Sequence, residues 1–237
     1  MEVIIGILIP FIGTIIGSLL VFFMKKELNR KIEVIIYGFA AGVMMAAAIW
    51  SLIIPSMEEG NGIVPCIIGL IIGVGIFYII DLVMERKGSK KLNNLMVAVT
   101  LHNIPEGMAV GVAFASYLSG GLSLASAFAL SIGIAIQNFP EGSVISFPLL
   151  KKGYSKRKAF LYGFISAVFE LLGTMITLLF TNFIVAIMPY MLAIAAGAMM
   201  YVVVIELIPE SDDKSKLNVI GFLIGFILMM VLDVMLG

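Results

Sequence analysis

The sequence predicts an all-α integral membrane protein of eight transmembrane helices with both termini outside. Three observations lead there. Of the 237 residues, 61% are hydrophobic and 13% charged, with a mean hydropathy of +1.14, whereas a soluble domain carries roughly 25% charged residues. Apolar stretches recur at the roughly 20 residues a helix needs to cross about 30 Å of hydrocarbon. All 15 Lys and Arg fall in alternate connections between those stretches.

The spans lie at approximately 3–24, 34–55, 63–83, 94–118, 122–149, 158–180, 187–209 and 217–236. They leave no room for a soluble domain, so residues 1–237 read as a single transmembrane domain. The first span lacks a basic head and is too long for a signal-peptide core, so it reads as a helix. Lys25, Lys26, Arg30 and Lys31 follow it; Arg86, Lys87, Lys90 and Lys91 separate spans three and four. Lys151, Lys152, Lys156, Arg157 and Lys158 separate spans five and six, and Lys214 and Lys216 separate spans seven and eight. Basic residues flanking short loops resist translocation, which puts these four connections in the cytoplasm. The other connections, around 56–62, 119–121 and 181–188, hold no basic residue and face outside. The zero formal net charge hides this separation. The basic loops serve topology and contact with anionic membrane lipid, not nucleic acid. One cysteine, Cys66 near the outer start of the third span, makes neither an internal disulfide nor a multi-thiolate metal site, and reads as a core residue.

Two internal repeats organise the spans. Gln137-Asn138-Phe139-Pro140-Glu141-Gly142 repeats His102-Asn103-Ile104-Pro105-Glu106-Gly107 at an offset of 35 residues. The fourth and fifth spans are joined by a short outer turn, run antiparallel and bring the two motifs together near mid-membrane. Ala40-Ala41-Gly42-Val43-Met44-Met45 is echoed by Ala195-Ala196-Gly197-Ala198-Met199-Met200, and each run leads towards a proline, Pro55 or Pro209. The second and seventh spans cross in opposite senses, so spans 1–3 and 6–8 read as inverted repeats around a central pair, a 3+2+3 transporter arrangement with its site at the repeat interface.

Residues three and four apart share a helix face. His102, Asn103 and Glu106 therefore converge, as do Gln137, Asn138 and Glu141. Pro105 and Pro140 have no N–H for the carbonyls of Leu101 and Ile136, which is expected to kink the helices. Glu170, midway along the sixth span, adds a third carboxylate. A charge at mid-membrane costs on the order of 2.5–3.5 kcal/mol, and no Lys or Arg sits at that depth to offset it, which leaves protonation or a bound cation. One imidazole among oxygen donors favours Zn2+, Fe2+, Co2+, Mn2+ or Cd2+ over magnesium or calcium, and the lack of thiolates disfavours copper(I). Taken singly, each residue has an ordinary reading as interhelical hydrogen-bonding; the doubled motif with Pro and Gly in register points to metal. Glu206, with Glu210, Asp212 and Asp213 beyond it, reads as a metal exit path, and Glu58 and Glu59 as outer attractors for cations. Asp81 and Asp233 lie close enough to helix ends to be solvated, and the Met pairs read as gap-filling packing.

His-Asn-x-Pro-Glu-Gly followed by Gln-Asn-x-Pro-Glu-Gly resembles the signature of the ZIP (Zrt/Irt-like) metal transporter family, and the Gln heading the second motif is similar to its GufA-like branch. The resemblance covers the whole chain. It implies a first metal position at His102, Glu106, Gln137 and Glu141, and a second at Asn103, Glu106, Asn138, Glu141 and Glu170, bridged by the motif glutamates. Gln137 stands where many members have His, and Asn138 where some have Asp, which weakens the first position and removes a charge from the second. The His-rich loop of many eukaryotic members is absent. The resemblance further implies a homodimer in the plasma membrane that carries divalent metal, zinc first, into the cytoplasm without ATP or any cofactor. It also implies an elevator-like slide of helices 1, 4, 5 and 6 against the rest. A metal-selective channel is the alternative. An intramembrane metalloprotease is disfavoured, and no enzyme is expected, because the chain has one His and no His-Glu-x-x-His.

Overall fold

The computed structural model describes residues 1–24, 29–60, 62–86, 91–151, 153–211 and 214–236. Its helices are α1 (Glu2–Leu19), α2 (Arg30–Ala47), α3 (Ile54–Glu59), α4 (Ile63–Arg86), α5 (Lys91–Leu118), α6 (Leu124–Lys151), α7 (Lys156–Leu179), α8 (Thr181–Val202), α9 (Ile208–Ser211) and α10 (Leu217–Leu236). No strand occurs among the described residues. Six stretches are long and apolar enough to cross a membrane: Glu2–Phe22, Arg30–Glu58, Ile63–Val83, Lys156–Leu179, Thr181–Leu207 and Leu217–Met235. α5 and α6, 28 residues each, are about 42 Å long at 1.5 Å per residue and carry the two polar motifs in their middles. Burial is inverted relative to a soluble domain, as a lipid solvent demands. Ile71 and Ile79 of α4 and Leu223 and Val234 of α10 face outward, while Asn103, Gln137, Asn138 and the serines 131, 146 and 166 are buried.

Widened π-helical turns join α2 to α3, at Ala48–Ile53, and α8 to α9, at Val203–Leu207. A proline follows each. In a regular helix the rings of Pro55 and Pro209 would press on the carbonyls four residues earlier, those of Ser51 and Ile205; the wider turn opens that space. α5 and α6 instead run as unbroken α-helix past Pro105 and Pro140. Two boundaries differ from the sequence expectation. The outer connection expected at 181–188 is helical: only Phe180 separates α7 from α8, and Thr181 Oγ1 donates to the Thr177 carbonyl at 2.9 Å. Thr181 satisfies carbonyls at the end of α7, and Asn182 follows it in the first turn of α8 instead of forming a loop. The connection expected at 56–62 is helical to Glu59, and the chain then reverses through Gly62 at φ +144°, where a side chain would be strained.

The helices pair closely, α2 along α10, α4 along α8, α1 along α6 and α5 along α7. Small residues permit each approach. A Cβ on Gly42 would strike the Phe222 carbonyl, one on Gly73 the Ile194 carbonyl, one on Gly17 the Phe139 carbonyl and one on Gly173 the Ile104 carbonyl. Ala40, Ala41 and Met44 belong to the same buried core as Ala195, Ala196 and Met199. The α1–α6 and α5–α7 seams use corresponding residues. Ser18 Oγ donates to the Gly142 carbonyl at 3.1 Å and Thr174 Oγ1 donates to the Gly107 carbonyl at 2.8 Å. From one seam to the other, the motif residues shift by 35 positions (Ile104 to Phe139, Gly107 to Gly142) and the facing residues by 156 (Gly17 to Gly173, Ser18 to Thr174).

Candidate metal centre

α5 and α6 place the two motifs against each other, and α7 closes over them. The helical spacing of the motif residues puts Asn103 and Glu106 on one face of α5, and Gln137, Asn138 and Glu141 on one face of α6. All five, with Glu170 of α7, are buried. His102 lies in the helical turn that begins the first motif, and its side chain lies outside the described residues.

Cross-helix hydrogen bonds tie the motifs together. Gln137 Nε2 donates to Glu106 Oε1 at 2.6 Å, and Asn138 Nδ2 donates to Glu170 Oε1 at 3.0 Å. Asn103 Nδ2 donates to the carbonyl of Ser166 at 3.2 Å and to its Oγ at 3.1 Å. The Asn103 and Asn138 amides thus donate to a neighbour and leave their oxygens over. Asn103 Oδ1, Glu106 Oε2, Asn138 Oδ1 and Glu170 Oε2 are buried and meet no hydrogen-bond donor among the described residues. An unsatisfied buried polar atom ordinarily costs about 1–3 kcal/mol, so four acceptors in one cluster call for a shared partner, and oxygen acceptors without donors suit a cation. Glu141 is buried one helical turn beyond Gln137 and Asn138 on the same face of α6.

Among the described residues, no three His, Cys, Asp or Glu side chains converge as a ready-made cage for an ion. Half of the six polar side chains gathered there are amides, and the amide nitrogens of Gln137 and Asn138 each hold one carboxylate oxygen, Glu106 Oε1 and Glu170 Oε1.

Away from the centre, the structure revises two expectations. Asp233 is not simply solvated: it is half-buried, and Ser51 Oγ donates to its Oδ1 at 2.7 Å. Asp81 likewise accepts a hydrogen bond, at 2.9 Å from the Tyr201 hydroxyl. Ser51, Asp233, Trp50, Pro55, Leu130 and Glu58 line a cavity of about 340 Å3, and Ser51 is 3.4 Å from Gln137 Oε1, so this cavity borders the candidate site. Sequence reading passed over Ser51 because a single hydroxyl in an apolar run carries no periodic signal. Asp233, an ionisable residue inside an apolar span, was the visible clue. Glu206 is buried in the second π-helical turn. The side chains of Glu59 and Glu210, and Asp212 and Asp213 altogether, lie outside the described residues.

Comparison with known proteins places the site in context. The family described as ZIP Zinc transporter matches residues 91–233. "Zinc transporter ZIP11" of Xenopus tropicalis is 30% identical over 100% of this chain and 98% of the relative. "Zinc transporter ZIPB" of Bordetella bronchiseptica is 32% identical over 96% of this chain and 79% of the relative. "Zinc transporter GufA" of Myxococcus xanthus is 33% identical over 90% of this chain and 91% of the relative.

Proposed function

Since the chain belongs to the ZIP family of zinc transporters, and is therefore a multi-pass membrane transporter and not an enzyme, we propose that it is a carrier moving divalent transition-metal ions, zinc first, into the cytoplasm. The ion passes through His102, Glu106, Gln137 and Glu141, with a second position at Asn103, Glu106, Asn138, Glu141 and Glu170. The observation that supports this reading best is the cluster of buried oxygens without donors, Glu106 Oε2, Glu170 Oε2, Asn103 Oδ1 and Asn138 Oδ1, at the meeting of the two motifs. The printed names of the relatives supply zinc as the first substrate.

We extend the proposal to topology. α5 and α6 cross the membrane with the six apolar stretches, giving eight spans with both termini outside. The paired seams, with motif residues related by 35 positions and facing residues by 156, support a 3+2+3 inverted repeat. Under that topology the cavity lined by Glu58, Asp233 and Ser51 lies on the outer side as the way in, and Glu206 on the inner side as the way out. The working form is a homodimer in the plasma membrane, with no cofactor and no ATP.

The test is uptake into proteoliposomes across a panel of Zn2+, Cd2+, Fe2+, Mn2+, Co2+ and Mg2+. Saturable, low-turnover flux of the transition metals, lost on Glu106→Gln, is the expected result. Single-channel currents would replace the carrier with a pore, and indifference to Glu106→Gln would remove the site.

A further inference from the structure

Gln137 sits between two groups that make opposite demands on its amide. On one side, Nε2 donates to Glu106 Oε1 at 2.6 Å; on the other, Oε1 is 3.4 Å from Ser51 Oγ. A serine hydroxyl has one hydrogen and two lone pairs. Asp233 Oδ1, a carboxylate oxygen at 2.7 Å, is the nearer and stronger acceptor for that hydrogen. With its hydrogen directed to Asp233, Ser51 turns lone pairs towards Gln137. An amide oxygen gains little there, whereas an amide N–H gains a hydrogen bond. The two ends of the amide are almost the same shape, so a half-turn about the Cγ–Cδ bond exchanges oxygen and nitrogen without displacing any neighbour.

The flipped orientation sets Gln137 Oε1 against the Glu106 carboxylate. Two facing oxygens repel unless a cation lies between them. We propose that Ser51 and Asp233 are positioning residues for metal binding: as an ion takes the place of the Gln137 NH2 against Glu106, the amide turns over, Nε2 donates to Ser51 Oγ, and Oε1 becomes the metal ligand. Asp233 keeps the hydroxyl in the accepting orientation. The inference rests on the reading of Glu106 and Gln137 as metal ligands and adds the device that makes a neutral amide serve as one. It assigns the polar residue of the first π-helical turn a task. It also links Gln137 of the α1–α6 pair to the α2–α10 pair, from which Ser51 and Asp233 come.

The experiment is a double-mutant cycle in the full-length protein, reading Cd2+ affinity by calorimetry in nanodiscs with thermal unfolding as a check on folding. Ser51→Ala should weaken binding about five- to tenfold, the effect of about one hydrogen bond. Ser51→Thr, which keeps the hydroxyl, should remain within about twofold of the parent. In the Gln137→Ala background, Ser51→Ala should have no further effect, because a residue that acts through Gln137 has nothing left to position. Equal weakening by Ser51→Ala in both backgrounds would overturn the relay, since Ser51 would then act directly or through the fold. So would parent-like affinity of Ser51→Ala in the Gln137 background. If Gln137→Ala and Glu106→Gln both bind Cd2+ like the parent, the metal-site reading fails and takes the relay with it. That outcome is distinct from a failure confined to Ser51.

Discussion

Gly173 of α7 lies against the carbonyl of Ile104 in α5, with no space for a Cβ between them. The contact sets how near α7 brings Glu170 to the motif helices, because Glu170 sits less than one turn before Gly173 on the same helix. Gly173→Ala should therefore separate the seam. Overpacking of this kind costs about 1–3 kcal/mol, and a drop in the thermal unfolding midpoint in detergent is the expected reading. Gly75→Ala is the control, since a Cβ there meets nothing within 4 Å, and an alanine in a helix is favoured over glycine by about 1 kcal/mol. An unfolding midpoint lowered equally by both substitutions would sink the seam argument.

The apolar spans and the paired motif were legible in the sequence: six stretches reach membrane length, and motif residues of α5 and α6 are hydrogen-bonded to each other and to α7. Span length, the alternation of Lys and Arg, and the Asn-x-Pro-Glu-Gly pair all recur, and recurrence separates signal from chance. The parts that depend on a single residue meeting a distant one were not. Thr174 donates to Gly107 and Ser18 to Gly142, yet a hydroxyl in an apolar helix usually just bonds back to its own turn, as Thr177 does to Gly173. The pairing of α1 with α7 follows from reading spans 1–3 and 6–8 as repeats, but no motif of their own carried it, because Thr14 stands where α7 has Glu170 and little but glycine and a hydroxyl is shared. Asp233 read as solvated because it is near the chain end; burial beside Ser51 is a tertiary fact. The connection expected at 181–188 is helical for a related reason, since the apolar core of a span stops before its helix does.

The topology predicts labelling. A cysteine at Asn182 should react with an impermeant thiol reagent added to intact cells, and one at Tyr154 only after permeabilisation. Tyr154 is preferable to Ser155 because the Ser155 hydroxyl caps α7 by accepting from Lys158 N–H at 3.3 Å, and losing such a cap costs about 0.5–2 kcal/mol. Cys66→Ser removes the native thiol first. Outside labelling at Tyr154 would invert the positive-inside assignment, and the proposed direction of transport with it.

The donor set predicts an order of competition. Zn2+ and Cd2+ should inhibit each other's uptake at low concentration, while Mg2+ should not, because magnesium gives up its water shell reluctantly and demands near-octahedral oxygen ligation. Inhibition by Mg2+ as strong as that by Cd2+ would count against a site containing His102 and the Gln137 amide. Metal binding should also weaken as the medium is acidified, since imidazole and carboxylate ligate only in their deprotonated forms and protons compete for the same lone pairs. Calorimetric affinity that rises on acidification would contradict the ligand assignment.

The sharpest prediction concerns Glu106 and Glu141. Glu106 accepts from Gln137 through Oε1 and has Oε2 buried without a donor among the described residues, so its two oxygens face different surroundings, as a bridging carboxylate requires. Bridged metal pairs lie roughly 3.5–4 Å apart, within the reach of one carboxylate. If both glutamates are shared between two positions, removing either one damages both. Glu106→Gln should then abolish uptake nearly as fully as Glu106→Gln combined with Glu141→Gln, the non-additivity of residues that act as a unit. His102→Ala should differ, affecting the first position alone. Glu170→Ala and Asn103→Ala should strip the second position and leave one ion bound. Calorimetric stoichiometry measured beside uptake rates separates these cases: two ions per protomer and ordinary uptake in Glu106→Gln would mean that the carboxylate is not shared. The hydrogen bond from Gln137 would then be a helix-packing contact, and the doubled motif would owe its pattern to packing instead of transport.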